Sequence, residues 1–153
     1  MFIVTAKVNA LRRTLLFVIL LFAAAAAVLT LCRRGGETSE TRPQAATNEE
    51  RLAYLASLGW EVDPEPLEAL RLTLPESMEE PYRSYNELQG KQGFDLTPVL
   101  GKTVERFAYR VRNYPNRPEG CQIDLYVYHG GVVAGDVLCT GAGGFIDTLI
   151  FPK

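Results

Sequence analysis

The chain has 153 residues, 47% of them hydrophobic and 22% charged, which is material for one folded domain and not for two. Sixteen basic and eighteen acidic residues give a formal charge of -2, but the charges are segregated. Lys7, Arg12, Arg13, Arg33 and Arg34 precede residue 35 with no acid among them, leaving eleven basic against eighteen acidic residues for the rest. An acidic body excludes a nucleic-acid partner, because binding phosphate backbones needs a concentrated positive surface.

Thr14 to Cys32 is a run of nineteen residues without a charge. At about 1.5 Å per residue a helix of that length reaches about 28 Å, close to the roughly 30 Å hydrocarbon core of a bilayer. The run is apolar on all sides, unlike a helix buried along one face of a domain. A lipoprotein signal would need a small residue before its cysteine, and Leu31 stands there. A cleavage site at Ala25–Ala27 would leave Val28, Leu29 and Leu31 at the start of the mature chain, where polar residues are usual. The expectation is an uncleaved signal anchor over 14–32, a basic cytoplasmic segment over 1–13, and a domain held outside the cytoplasm. The flanking cations bias the orientation that way only modestly.

Residues 33–46 have the composition of a flexible linker, and 47–153 are expected to form the extracytoplasmic domain. Thr47-Asn48-Glu49-Glu50 has the spacing of a capping box. It predicts a helix with Leu52, Leu55 and Ala56 on one face and a left-handed stop at Gly59. Leu70-Arg71-Leu72-Thr73-Leu74 alternates as a half-buried strand does. Ser77-Met78-Glu79-Glu80 is a second capping box, heading a helix with Met78, Tyr82, Tyr85 and Leu88 on one core-facing stripe and an end near Gly93.

From Lys102 the period becomes two, predicting a meander of Thr103–Asn113, Cys121–Tyr128 and Val132–Cys139. A three-residue loop at His129-Gly130-Gly131 pairs Cys121 with Cys139, Ile123 with Val137, Leu125 with Gly135 and Val127 with Val133, a wholly apolar face. A one-residue slip would mix the faces. That register, chosen from apolar residues, also sets two cysteines opposite each other and makes a Cys121–Cys139 disulfide plausible in an oxidising compartment. Buried thiols are the alternative. Centring the preceding loop near Arg117 pairs Phe107 with Val127, Tyr109 with Leu125 and Val111 with Ile123. The fold expected is α+β: an antiparallel sheet of about four strands, two helices on its one apolar face, and one transmembrane helix before it.

The other face brings Arg110 beside Asp124, and Asp124 beside Asp136, with Arg106, Tyr126 and Tyr128 nearby. Facing carboxylates repel unless offset, so Arg110, Asp124, Asp136, Tyr126 and Tyr128 form either a polar binding patch for a sugar, peptide or cation, or a partly exposed ion-pair row. Two carboxylates are too few for a divalent ion, and no metal or cofactor is implied. His129 is the single histidine, at a hairpin tip with no acid to orient it. Thr140-Gly141-Ala142-Gly143-Gly144 lacks the lysine and following helix of a phosphate loop and reads as a turn. Trp60 reads as a core anchor, with an exposed ring for glycan stacking as the alternative.

Leu58-Gly59-Trp60-Glu61-Val62, Tyr85-Asn86-Glu87-Leu88-Gln89, Gln92-Gly93-Phe94-Asp95-Leu96, Gly101-Lys102-Thr103-Val104 and Gly135-Asp136-Val137 together resemble the bacterial domain-of-unknown-function 4830 family, carried by short N-terminally anchored proteins. The resemblance covers Glu49 to Thr148. It implies a Gram-positive cell-surface setting and carries no catalytic residues. The leading expectation is a non-enzymatic envelope protein, anchored in the lipid bilayer through 14–32, that binds an envelope protein or cell-wall component. The alternative is a small cell-wall-acting hydrolase or transferase using Asp124 and Asp136. A regulatory module for a neighbouring membrane protein is a third possibility.

Overall fold

A computed structural model describes residues 42–117, 119–141 and 143–152. The apolar run 14–32 and the basic segment before it lie outside the described residues. No helix among the described residues is long and apolar enough to cross a membrane.

Helix α1 spans Asn48–Ser57 behind the expected cap. The Glu50 amide donates to the Thr47 hydroxyl at 3.2 Å and the Thr47 amide donates to the Glu50 carboxylate at 3.1 Å, satisfying two amides that a helix start leaves free. The helix ends where Gly59 takes φ +95°, a conformation that favours glycine. Its apolar stripe places Leu55 in a cluster with Trp60, Tyr109, Ile123, Leu125, Val137 and Leu149. The Trp60 indole N–H donates to the Leu149 carbonyl at 2.7 Å, so the largest ring in the core leaves no polar edge unpaired.

The sheet has five strands, one more than the sequence suggests: β1 (Glu68–Thr73), β2 (Thr103–Arg110), β3 (Cys121–Tyr128), β4 (Gly131–Cys139) and β5 (Phe145–Asp147). They lie in chain order and every neighbouring pair is antiparallel. Between β3 and β4, Cys121 pairs with Cys139, Ile123 with Val137 and Leu125 with Gly135, the register selected by the apolar pattern. Nearer the turn the register shifts: Val127 pairs with Val132 and Tyr128 with Gly131. The turn is therefore the two residues His129 and Gly130, at φ 49° and 78°, the positive angles that a tight hairpin turn requires. A bulge after Tyr126 absorbs the odd residue and restores the apolar face.

The β2–β3 register differs from the expected one by two residues. Phe107 pairs with Leu125, Tyr109 with Ile123, and Arg110 with Gln122 rather than Asp124.

The two helices do not share one face. Alternate residues of β2, β3 and β4 point to the α1 side, and the intervening ones enter a second cluster. That cluster holds Leu74, Leu96, Val99, Val104, Val133 and Ala134, with Tyr85 packed against it. Tyr85 belongs to helix α2, Tyr82–Gly90. Both faces are thus covered, because Val104, Ala108, Ala134 and Leu138 make the supposedly polar face nearly as apolar as the other. Helix α2 starts later than its capping-box spacing predicts. Glu80 precedes a proline, which disfavours helical geometry there, and Pro81 takes the cap position without a side-chain hydrogen bond. The Glu80 carboxylate instead accepts from the Ser84 hydroxyl at 2.7 Å and its amide at 3.4 Å.

The folded part begins before Thr47. Gln44 forms a bridge to Gly131, the Ala45 amide donates to the Gly130 carbonyl at 2.8 Å, and Ala45 is fully buried. At the outer edge of β4, beyond the reach of the short β5, two glutamines take the backbone: Gly135 N–H donates to Gln89 Oε1 at 3.0 Å, and Gln92 Nε2 donates to the Gly135 carbonyl at 2.6 Å.

Candidate functional site

Asp124 on β3 and Asp136 on β4 are direct cross-strand partners, 4% and 3% exposed, on the face that α2 covers. Two adjacent buried carboxylates demand compensation, and each receives a different kind. Asp124 accepts from Arg106 at 2.8 Å and from the Gln122 amide at 3.1 Å. Arg106 is shared, its other terminal nitrogen donating to Glu68 at 2.9 Å. Asp136 accepts from the Tyr85 hydroxyl at 2.5 Å, and none of the ion pairs among the described residues includes it.

The lack of an ion-pair partner bears on the acidity of Asp136. Burial pushes the Asp136 carboxyl up to about 6; the Asp124 charge adds to the rise, while the Tyr85 hydrogen bond and Arg106 oppose it. Burial, with Asp136 and Asp124 adding, pushes Tyr126 up to about 12. Tyr85 is raised much further, first by burial and then by Asp136, so its hydroxyl stays protonated and serves as a donor. The Tyr85 and Tyr126 rings meet edge to face, their centroids 6.0 Å apart.

Asp124, Asp136, Tyr85 and Tyr126 form the polar floor of a pocket of about 570 Å³. Its walls are apolar: Leu72 comes from β1 and Leu74 from just beyond it, Leu88 from α2, Leu138 from β4 and Ile146 from β5. Tyr82 and Ile146, both exposed, stand at its rim. The sequence locates β1 and the α2 stripe, and the fold brings both over the Asp124–Asp136 pair.

Of the expected patch, the pocket contains Asp124, Asp136 and Tyr126. Arg110 is elsewhere: its nearest carboxylate is Asp63 at 3.6 Å and its side chain is exposed, as the two-residue offset in the β2–β3 register dictates. Tyr128 sits at the hairpin end with its ring against His129, in a separate hollow with Arg71, Thr103 and Glu105. Arg106 holds the place assigned to Arg110. Tyr85, read from its spacing as a core aromatic, also carries the hydroxyl that serves Asp136. Cys121 and Cys139 are joined by a disulfide on the opposite, α1-covered face. Among the described residues no three His, Cys, Asp or Glu side chains gather as metal ligands.

A five-stranded antiparallel meander, covered on both faces and hollowed over a pair of aspartates, defines a small α+β domain with a ligand-sized pocket. The profile described as Domain of unknown function (DUF4830) matches residues 54–137, and the chain belongs to that family. The match runs from α1 to Val137, near the end of β4, and so includes every residue of the pocket floor. No curated protein and no solved structure matches the chain.

Proposed function

We propose that the chain is a single-pass, membrane-anchored bacterial envelope protein whose domain, outside the cytoplasm, is a non-enzymatic binding module working through the pocket over Asp124 and Asp136. The observation that carries the binding role is that pocket: its volume falls in the range of roughly 300–1,000 Å³ typical of small-molecule sites, with apolar walls and a few convergent polar groups. The uncharged run 14–32 between clusters of arginine supports the anchor. The Cys121–Cys139 disulfide supports an oxidising compartment.

Two measurements test the reading. The full chain with a C-terminal tag should pellet with membranes, require detergent for extraction, and expose its tag to protease added outside intact spheroplasts; a tag protected in intact spheroplasts refutes the orientation. Ligand-observed NMR with the full chain in phosphatidylcholine vesicles should find saturable binders, including neutral apolar fragments, that Leu138→Trp excludes by filling the pocket. A library giving no such binder refutes the pocket as a binding site.

A second reading is favoured by one observation. Asp136, raised to about 6, lies beside ion-paired Asp124, and two carboxylates in different environments can divide acid and base roles. A small hydrolase or transferase of this kind would turn over wall fragments and lose turnover in both Asp124→Asn and Asp136→Asn.

A further inference from the structure

The structure also constrains which ligand the pocket admits, and this inference rests on the pocket being a binding site. We propose that it takes a small organic ammonium ion, an amine on a compact apolar body, with the ammonium against Asp136 and the body against Leu74, Leu96 and Leu138.

Charge gives the first argument. The floor holds two carboxylates, and the guanidinium beside them is already divided between Asp124 and Glu68. Asp136 is 3% exposed and has a neutral hydroxyl as its partner. A buried carboxylate without a counter-ion is costly, and a cation entering the pocket would offset that cost directly. The aromatic lining gives the second. Tyr82, Tyr85 and Tyr126 all line the pocket, and aromatic faces attract organic cations.

The walls then discriminate among cations. Calcium or magnesium needs about six or more oxygen ligands, and leucine walls supply none beyond the floor. An ammonium needs few hydrogen-bond acceptors and can leave its apolar body on the leucines. An anion would be repelled by the floor, and a neutral apolar molecule would strip water from Asp136 without replacing it.

The test uses three probes of one shape: cyclohexylmethylamine, cyclohexylmethanol and cyclohexanecarboxylate. Each is titrated at pH 7.5 into the full chain in phosphatidylcholine vesicles, with protein-free vesicles as blanks. The amine should bind about tenfold tighter than the alcohol, the factor expected of one charge-assisted hydrogen bond, and the carboxylate should bind least. Asp136→Asn, which keeps an acceptor for Tyr85, should remove the preference for the amine over the alcohol. Leu138→Trp should abolish binding of both. Equal affinities for amine and alcohol, tighter binding of the carboxylate, or amine binding that survives Leu138→Trp would overturn the ammonium assignment. The first two results would leave the pocket standing as a binding site. Failure of all three probes together with the neutral apolar fragments would remove the pocket reading itself.

Discussion

Asp136→Asn should make the domain more stable at neutral pH. The folded chain raises this carboxyl from the ordinary 3.8 to about 6, chiefly through burial. That is a little over two pH units at about 1.4 kcal/mol each, or about 3 kcal/mol. The folded-state value lies above the unfolded one, so the folded chain keeps a proton that the unfolded chain has released. The contribution of this group is fully present below about pH 3.8 and is lost as the pH rises through about 6. Tyr85, Asp124, Arg106 and Tyr126 face the carboxyl in both variants, so the difference between them isolates its ionisation. The difference should be about 3 kcal/mol in favour of Asn at pH 7 to 8 and shrink towards zero near pH 4. The assay is urea unfolding of the full chain in lipid vesicles at a series of pH values, read by the fluorescence of the single tryptophan, Trp60, which is 2% exposed. A difference independent of pH, or Asn destabilising at pH 7, would refute the argument that burial dominates this site.

Arg106→Gln strands Asp124 without its cation and should cost about 3 kcal/mol in the same unfolding assay at pH 7. Gly135→Ala should cost about 1–3 kcal/mol, because a Cβ there would sit 2.5 Å from Leu149 Cδ1 and 3.1 Å from the Asp124 carbonyl oxygen. Intact-mass analysis after alkylation should find Cys121 and Cys139 protected until reductant is added. Replacing both with alanine should cost about 3 kcal/mol, from loop closure over the 18-residue separation.

How much of this was legible in the sequence depended on what the side-chain period can sense. A one-residue slip between β3 and β4 would have paired Leu125 with Asp136 and mixed a carboxylate into the α1-side core, so alternation alone selected the pairing from Cys121/Cys139 to Tyr126/Ala134. A two-residue slip moves no side chain to the other face. The alternation of β2 was therefore blind to the choice between Arg110 and Arg106 as the neighbour of Asp124, and the loop from Asn113 to Gly120 was too irregular to set the count. The two-residue turn with its bulge was hidden similarly, because it depends on His129 accepting a positive φ. The second covered face carries an apolar signal in Val104, Ala108, Ala134 and Leu138, but Asp124, Asp136 and the tyrosines interleave with it and give the strands a polar alternation. The pocket needed three separate segments, β1, α2 and β5, brought over one aspartate pair, and no local pattern specifies that meeting.

The glutamines at Gly135 have a bearing on self-association. A foreign strand joining the β4 side would need that residue's amide and carbonyl, and Gln89 and Gln92 already occupy both. Strand addition is thereby blocked at Gly135, beside a β5 of only three residues. The opposite flank, β1, carries the charged Glu68 and Arg71, each held in an ion pair, an arrangement that deters stacking by hydrogen-bonded strands. Both flanks of the sheet thus carry features that work against the addition of a further strand.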